Sequence, residues 1–388
     1  MRWRQARDAA ALAAAALAAA IRVRRGGRLG LPRRTDDVTA AVLERLLAQA
    51  APGLRVTAVD LGSRDSGTTD RMRIGVGYAD AETARAFPST FFVKLAPRHA
   101  GTRVFVAMMA LGARETRFYR DLRPRLDVDA PRAYAAIADQ SNGDFVLVLE
   151  DLVAAGCRFG SAAEQCTRET AEAVIDGFGR LHARFWDHRD LDGALAWMPS
   201  PTRHRRLGIE LAVSRLGIAA ALRRPDDVVP PEARAVAPVV LERRDALERA
   251  WSTPPLTVVH GDAHLGNAFF RDGHAGFFDW QVVQQAQGMR DVSYFLCNSV
   301  PVALRREHED VLIRRYLAVL ASQGVPAPSF DAVWEQHRLH AAYAWIAAMV
   351  TAGARTMQPD AVSRAGVARA TAAMHDLGSL ERLARLPG

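Results

Sequence analysis

The spacing of apolar residues changes near residue 150, and that change limits the fold more than any other feature of the chain. Before it, short runs with strand character dominate: 54–60 alternates apolar and polar residues, 71–78 reads as a returning strand, and Phe91-Phe92-Val93 centres a short buried strand over 89–95. A loop of small residues, 62–69, joins the first two. Positions 133–138 and 144–149 form a second strand pair turning at Asn142-Gly143. Thr35 or Asp36 caps a helix with Val38, Val42, Leu43, Leu46 and Leu47 on one face, and 104–122 reads as one or two packed helices. After residue 150 helical spacing prevails, over 169–188, 205–222, 231–251, 305–323, 330–352 and 361–383. Two strand signals interrupt it, at 256–260 and in a hairpin turning at Asp272-Gly273. These patterns predict an α+β chain with an extension over 1–34, a small β-rich N-lobe over 35–150 and a larger, mainly helical C-lobe over 151–388. At 388 residues the chain is long enough for two such units.

Composition narrows the class of partner. The net charge is +8, but the arginines are spread along the chain and many adjoin acids, as in Glu242-Arg243-Arg244-Asp245. Without a basic run interleaved with aromatics, they read as a solvated surface, and no nucleic-acid partner is expected. Arg2, Arg4 and Arg7 precede an apolar run over 9–21 that is short and mostly alanine, which predicts an N-terminal helix and not an export signal. No segment reaches about 18 uncharged apolar residues, so no membrane span is expected. Cys157, Cys166 and Cys297 lack metal-ligand or CxxC spacing and read as reduced thiols of a cytoplasmic protein.

The chemistry concentrates in His260-Gly261-Asp262-Ala263-His264-Leu265-Gly266-Asn267, followed by Asp279-Trp280-Gln281. Asp262 and Asn267 have the D-x-x-x-x-N spacing of a kinase catalytic loop, where the carboxylate accepts a hydroxyl proton and the amide oxygen holds a metal ion. Asp279 ends a hairpin strand that returns it to the same place. Mg²⁺ bound by one or two protein oxygens and by phosphate oxygens needs little beyond Asn267 and Asp279. Of the 51 lysines and arginines, one is lysine, Lys94, on the predicted third strand. Glu115 lies on the following helix, where it can hold the ammonium in place. Ser66, Gly67 and Thr68 form the part of the turn expected to cover phosphates with N–H groups and hydroxyls.

The segment His260 to Asn267, with Asp279-Trp280-Gln281 and Arg290-Asp291-Val292-Ser293-Tyr294-Phe295-Leu296, resembles the aminoglycoside phosphotransferase and choline kinase superfamily. Leu149-Glu150-Asp151-Leu152 and Leu181-His182-Ala183 bring it closer to the ecdysteroid-kinase-like (CHK kinase-like) branch. The resemblance spans roughly residues 35–370 and implies a bilobal protein-kinase-like fold that transfers the γ-phosphoryl group of ATP to a small-molecule alcohol. By the resemblance, Asp262 is the base, Asn267 and Asp279 hold Mg²⁺, Lys94 contacts the phosphates with Glu115 as partner, and Glu150, Asp151 and Leu152 form the hinge that meets adenine. An aminoglycoside acceptor would favour an acidic pocket and choline an aromatic cage, and Trp186, Trp197, Tyr343 and Trp345 lie on segments that suit such a site or core packing equally; the branch itself suggests a neutral, bulky alcohol. Asp291 is expected to brace the catalytic loop, and His182 to be a satisfied core histidine. Two other classes share parts of the pattern: a metal-dependent phosphoesterase, through Gly261-Asp262-Ala263-His264, and a non-catalytic nucleotide-binding or basic interaction module.

Overall fold

The computed structural model describes residues 2–160, 166–201, 207–354 and 358–387. The N-lobe is built on β1 (Val56–Ser66), β2 (Asp70–Tyr78), β3 (Thr90–Leu95), β4 (Ala133–Asp139) and β5 (Asp144–Glu150), with α1 (Arg2–Arg24) and α2 (Ala40–Leu47) before them. All five strands form one antiparallel sheet in the order β1-β2-β3-β5-β4, so the predicted second hairpin adds to the first meander through β3 and β5. β5 explains why. Val146 and Val148 face a cluster with Leu43, Leu47, Ile74 and Val93, while Phe145, Leu147 and Leu149 face the main core on the other side. A strand buried on both faces belongs in the interior of a sheet, with hydrogen-bonded neighbours on each edge.

Two N-lobe boundaries differ from those expected. The helix begins at Ala40 and is capped by Thr39, because Thr35–Asp37 forms a separate 3-10 turn. The expected loop over 62–69 is mostly strand. After a bulge near Leu61, pairing resumes as Arg64↔Met72, Asp65↔Arg71 and Ser66↔Asp70. An Arg71–Asp65 ion pair and a Ser66-to-Asp70 hydrogen bond hold this end together, so only residues 67–69 turn.

Beyond β2 come α3 (Ala81–Ala86), α4 (Ala100–Met109) and α5 (Leu111–Arg117). The segment over 104–122, expected as one or two helices, is two, divided at Ala110, whose φ is 55°, and it ends in a π turn over Phe118–Leu122. α5 sits so close to the sheet that a Cβ on Gly112 would collide with the Phe145 ring. That approach sets the height of Glu115 one turn further on.

The C-lobe holds a short strand β6 (Arg158–Phe159), then α6 (Arg168–Ala183), α7 (Leu207–Ala221), α8 (Pro231–Glu242) and α9 (Arg244–Trp251). Next come β7 (Thr257–Val259), β8 (Ala268–Arg271), β9 (His274–Phe277) and β10 (Gln284–Ala286). The chain ends with α10 (Met289–Asn298), α11 (Val302–Ser322), α12 (Phe330–Gly353), α13 (Asp360–Asp376) and α14 (Ser379–Ala384). β6 and β10 were not expected. Each has three residues or fewer and exists only by pairing, β6 with β8 and β10 with β7. The predicted 231–251 and 361–383 helices each divide in two, the second at Gly378, whose φ is 59°. The start of the predicted 205–222 helix lies outside the described residues. Among those residues, no helix is long and apolar enough to cross a membrane.

The N-terminal segment is tied to the rest of the molecule. α1 lies against α4 and α7, and Arg22 donates to the Ala107 carbonyl at 2.5 Å. The backbone N–H groups of Arg28 and Leu29 donate to Asp139, and Arg33 pairs with Asp144.

Gly112→Ala is expected to push α5 off the sheet and cost about 1–3 kcal/mol. The loss should appear as a lower midpoint in urea unfolding followed by circular dichroism.

Candidate active site

β7 delivers the chain into a loop held largely by hydrogen bonds between side chains and backbone. Asp291, fully buried on α10, accepts from the backbone N–H groups of His260 (2.6 Å) and Gly261 (2.9 Å). His182 lies 3.2 Å from the same carboxylate through Nε2, and its Nδ1 is 2.9 Å from the Tyr316 hydroxyl. Nε2–H donating to Asp291 and Nδ1 accepting from Tyr316 satisfies both contacts. Asp291 thus braces the loop, and His182 is the satisfied core histidine expected. Gly261 has φ of 85°, and a side chain there would strike the Val282 carbonyl. His260 Nε2 meets the Phe278 carbonyl at 2.9 Å, coupling this loop to the segment that carries Asp279.

Asp262 and Asn267 come together within the loop. Asn267 Nδ2 donates to the Asp262 carbonyl (2.9 Å) and to its Oδ2 (3.2 Å), while the Tyr294 hydroxyl donates to Oδ1 (3.2 Å). The Asp262 side chain remains 33% exposed, so a substrate hydroxyl has access to it. Nδ2 is thus the atom of the Asn267 amide that meets Asp262, and the amide oxygen is not spent on that carboxylate.

Lys94, Glu115 and Asp279 meet across the lobes. The Lys94 ammonium, 3% exposed, donates to both Glu115 oxygens at 2.7 and 2.9 Å and to Asp279 Oδ1 at 3.1 Å. Burial opposes the Lys94 charge, but Asp279 and Glu115 together hold its pKa above the ordinary value. Burial lifts the Glu115 carboxyl to about 7 despite Lys94, and the negative charge of Asp279 adds to that rise. Burial likewise opposes the Asp279 charge, yet Lys94 and then Arg71 keep its carboxyl low. Asp279 adopts φ of 66°, a region non-glycine residues seldom occupy outside functional sites.

One ammonium between two carboxylates leaves excess negative charge at this point. A hard cation taking oxygen ligands suits that excess, with Asp279 and the amide oxygen of Asn267 as its protein donors. No group of three or more His, Cys, Asp or Glu converges on a metal position among the described residues.

The other expected residues lie around this centre. Ser66, Gly67 and Thr68 are at the β1–β2 end, where the Ser66 hydroxyl donates to Asp70 at 2.6 Å. Glu150 and Asp151 spend their carboxylates on arginines, Glu150 on Arg271 of β8 at 2.6 Å and Asp151 on Arg73 of β2 at 2.7 Å. What this segment has left to offer a ligand is backbone and the Leu152 side chain, which packs with Cys157, Phe269, Phe159 and Phe278.

Trp345 is fully buried in the core. Trp197 lies under Arg117 and borders a cavity of about 520 Å³ with Arg22, Ala107 and Asp139, beside α4 and the β4–β5 hairpin. Tyr343 does reach the catalytic loop, where its hydroxyl donates to the Gly261 carbonyl at 2.7 Å. Two contacts went unforeseen. Tyr294 lies inside the quoted motif, but nothing in the motif says that it reaches Asp262. Arg71 became visible only through strand register, which places it opposite Lys94.

The lobes and the lysine–glutamate pair at their junction define a protein-kinase-like enzyme that phosphorylates small molecules. More narrowly, the chain belongs to the phosphotransferase enzyme family, whose model matches residues 78–317. Solved structures share the fold at low identity. A choline kinase from Cryptosporidium parvum matches with a TM-score of 0.54 and 11% identity over 89% of this chain and 99% of that one. A choline/ethanolamine kinase family protein from Mesorhizobium loti has a TM-score of 0.51 and 16% identity over 91% and 100%. An amicoumacin kinase, solved with AMP-PNP, Ca²⁺ and Ami, has a TM-score of 0.50 and 16% identity over 86% and 93%. No curated protein matches the chain.

Burial opposes the Asp291 charge, but the hydrogen bond from His182, with the N–H of Gly261, keeps its carboxyl below the ordinary range. A depressed native pKa adds stability above the unfolded value, near 4, and that stability is lost as pH falls through the native value. Asp291→Asn should therefore be less stable than the parent at pH 7, with a deficit that shrinks below about pH 4. Urea midpoints measured from pH 3 to pH 8 check this.

Proposed function

We propose that the cleft binds Mg·ATP and that Asp262 promotes transfer of the γ-phosphoryl group to a hydroxyl of a small-molecule acceptor. The observation that carries this reading is the buried Lys94 ammonium, held by Glu115 on one lobe and Asp279 on the other, with Asp262 and Asn267 on the adjoining loop. Lys94 contacts the α- and β-phosphates, and Glu115 keeps the ammonium in place when the nucleotide is absent. Ser66, Gly67 and Thr68 border the phosphates. The backbone of Glu150, Asp151 and Leu152 meets adenine, with Leu152 and Phe278 supplying apolar surface beside it. The nucleotide and divalent ion in the amicoumacin kinase structure support this use of the fold.

Asn267 and Asp279 hold the magnesium ion, which when bound offsets phosphate charge. The remaining work falls to the chain. An acceptor hydroxyl placed against Asp262 donates a hydrogen bond to its carboxylate and passes the proton there as the oxygen attacks the γ-phosphorus, whose bond to the β–γ bridging oxygen breaks so that ADP leaves. Tyr294 and Asn267 fix the carboxylate from the other side, so the group stays oriented between turnovers. Burial, then the charge of Asp262, raises the Tyr294 phenol well above its ordinary value, so it remains a donor at neutral pH. Catalysis is mainly positioning and charge complementarity, the two contributions this arrangement supplies.

Asp262→Asn is expected to lower the rate of acceptor phosphorylation by about 10²–10⁴-fold while Mg·ATP binding persists. Asp279→Ala should abolish transfer and weaken Mg·ATP binding, with the melting profile of both variants still cooperative. Purified variants assayed for ATP-dependent gain of one phosphate across a library of hydroxyl compounds test this, and parent-like transfer by Asp262→Asn removes the proposed base. Lys94→Arg gives a further check, because a broad guanidinium does not fit the space a compact ammonium fills between Glu115 and Asp279. Its Mg·ATP affinity should fall at least about tenfold in calorimetry.

A further inference from the structure

A second cation lies on the Lys94 face of the N-lobe sheet. Asp65 is the register partner of Arg71 between β1 and β2, and Arg71 is the partner of Lys94 between β2 and β3. Residues directly opposite in antiparallel strands share a face, so all three side chains leave the sheet on the side where Lys94 meets Glu115 and Asp279. Like charges directly opposite each other weaken a sheet. Lys94 is offset by the buried Glu115 and by Asp279, which is 15% exposed, whereas the ion pair of Arg71 among the described residues is with Asp65, through a contact of 2.5 Å to a carboxylate that is 70% exposed.

The position of the guanidinium shows where its charge acts. Its side chain is 33% exposed and therefore open to a ligand. A Cβ on Gly67 would lie 3.4 Å from Arg71 Nη2, so the group sits beside the β1–β2 turn. Arg71 thus lies beside the β1–β2 turn, on the face of the sheet that carries Lys94.

We propose that Arg71 is a nucleotide-binding residue whose guanidinium donates to phosphate oxygens of ATP beside Lys94, with Asp65 as the resting partner that the phosphates displace. This rests on reading the cleft as an ATP site. A planar fork of N–H donors matches phosphate oxygens in pairs, which a second ammonium would not do. The exposed Asp65 carboxylate holds the fork in place and competes for it.

The two partners give the test its sign. If the Asp65–Arg71 pair only staples β1 to β2, removing either member acts in the same direction. If it is a resting state for phosphate recognition, the two removals act oppositely on nucleotide affinity. Calorimetric Kd values for Mg·ATP and adenosine are measured on the full chain as parent, Arg71→Met, Arg71→Lys and Asp65→Asn, each with its thermal melt. Arg71→Met should weaken Mg·ATP about tenfold or more and leave adenosine unchanged. Asp65→Asn should tighten Mg·ATP by a factor of a few. Arg71→Lys should fall between parent and Arg71→Met, and carries the test with Asp65→Asn should Arg71→Met not fold. Unchanged Mg·ATP affinity in the folded Arg71 variants, an equal loss for adenosine, or weaker Mg·ATP binding by Asp65→Asn overturns the assignment. A parent that binds no Mg·ATP overturns the ATP reading itself, while a binding parent with an indifferent Arg71 overturns Arg71 alone.

Discussion

The Lys94 ammonium is the point on which the molecule converges. Burying a charge is costly, and removing one member of a buried pair leaves the other uncompensated at a cost of about 3–5 kcal/mol. Lys94 comes from β3, Glu115 from α5 and Asp279 from the segment after β9, so this one contact joins sheet, helix and C-lobe. Several local features serve it. The break at Ala110 frees α5 from α4, the absence of a side chain at Gly112 lets α5 approach Phe145, and the positive φ of Asp279 turns its carboxylate back toward the sheet.

A second layer keeps the catalytic loop in shape without touching the cleft. Asp291 takes the place of a strand partner for the N–H groups of His260 and Gly261, and His182 and Tyr316 complete its hydrogen bonding. Around the hinge the ties are arginines: Arg73 reaches Asp151 and Arg271 reaches Glu150. Arginine suits these long, partly exposed spans because its fork keeps a fixed geometry with a carboxylate. Only the enclosed position between Glu115 and Asp279 holds a compact ammonium, which gives the lone lysine a physical reason.

Much of this was legible in the chain because it depends on local periodicity. β2, β3, β5 and the hairpin turning at Asp272-Gly273 came within a residue or two of their observed limits, since each combines alternation or a continuous apolar run with a turn dipeptide. The D-x-x-x-x-N spacing placed Asp262 and Asn267 side by side because five intervening bonds of a tight loop can hardly do otherwise. The failures follow one rule. Residues 62–66 have the small, polar composition of a loop, but cross-strand pairing with β2 makes them strand. β6 and β10 carry no signal of their own and form only because a partner edge is present.

The sequence by itself determined which residues are candidates for chemistry and on what kind of element most of them sit, because those properties follow from residue type and from spacing over a few positions. Tertiary structure alone decided which charges meet. That α5 approaches closely enough for Glu115 to grip Lys94, that Tyr294 reaches Asp262, and that Arg71 lies opposite Lys94 all depend on strand register and close packing between segments far apart in the chain. Such contacts are fixed by the shapes of surfaces that form only when the chain has folded.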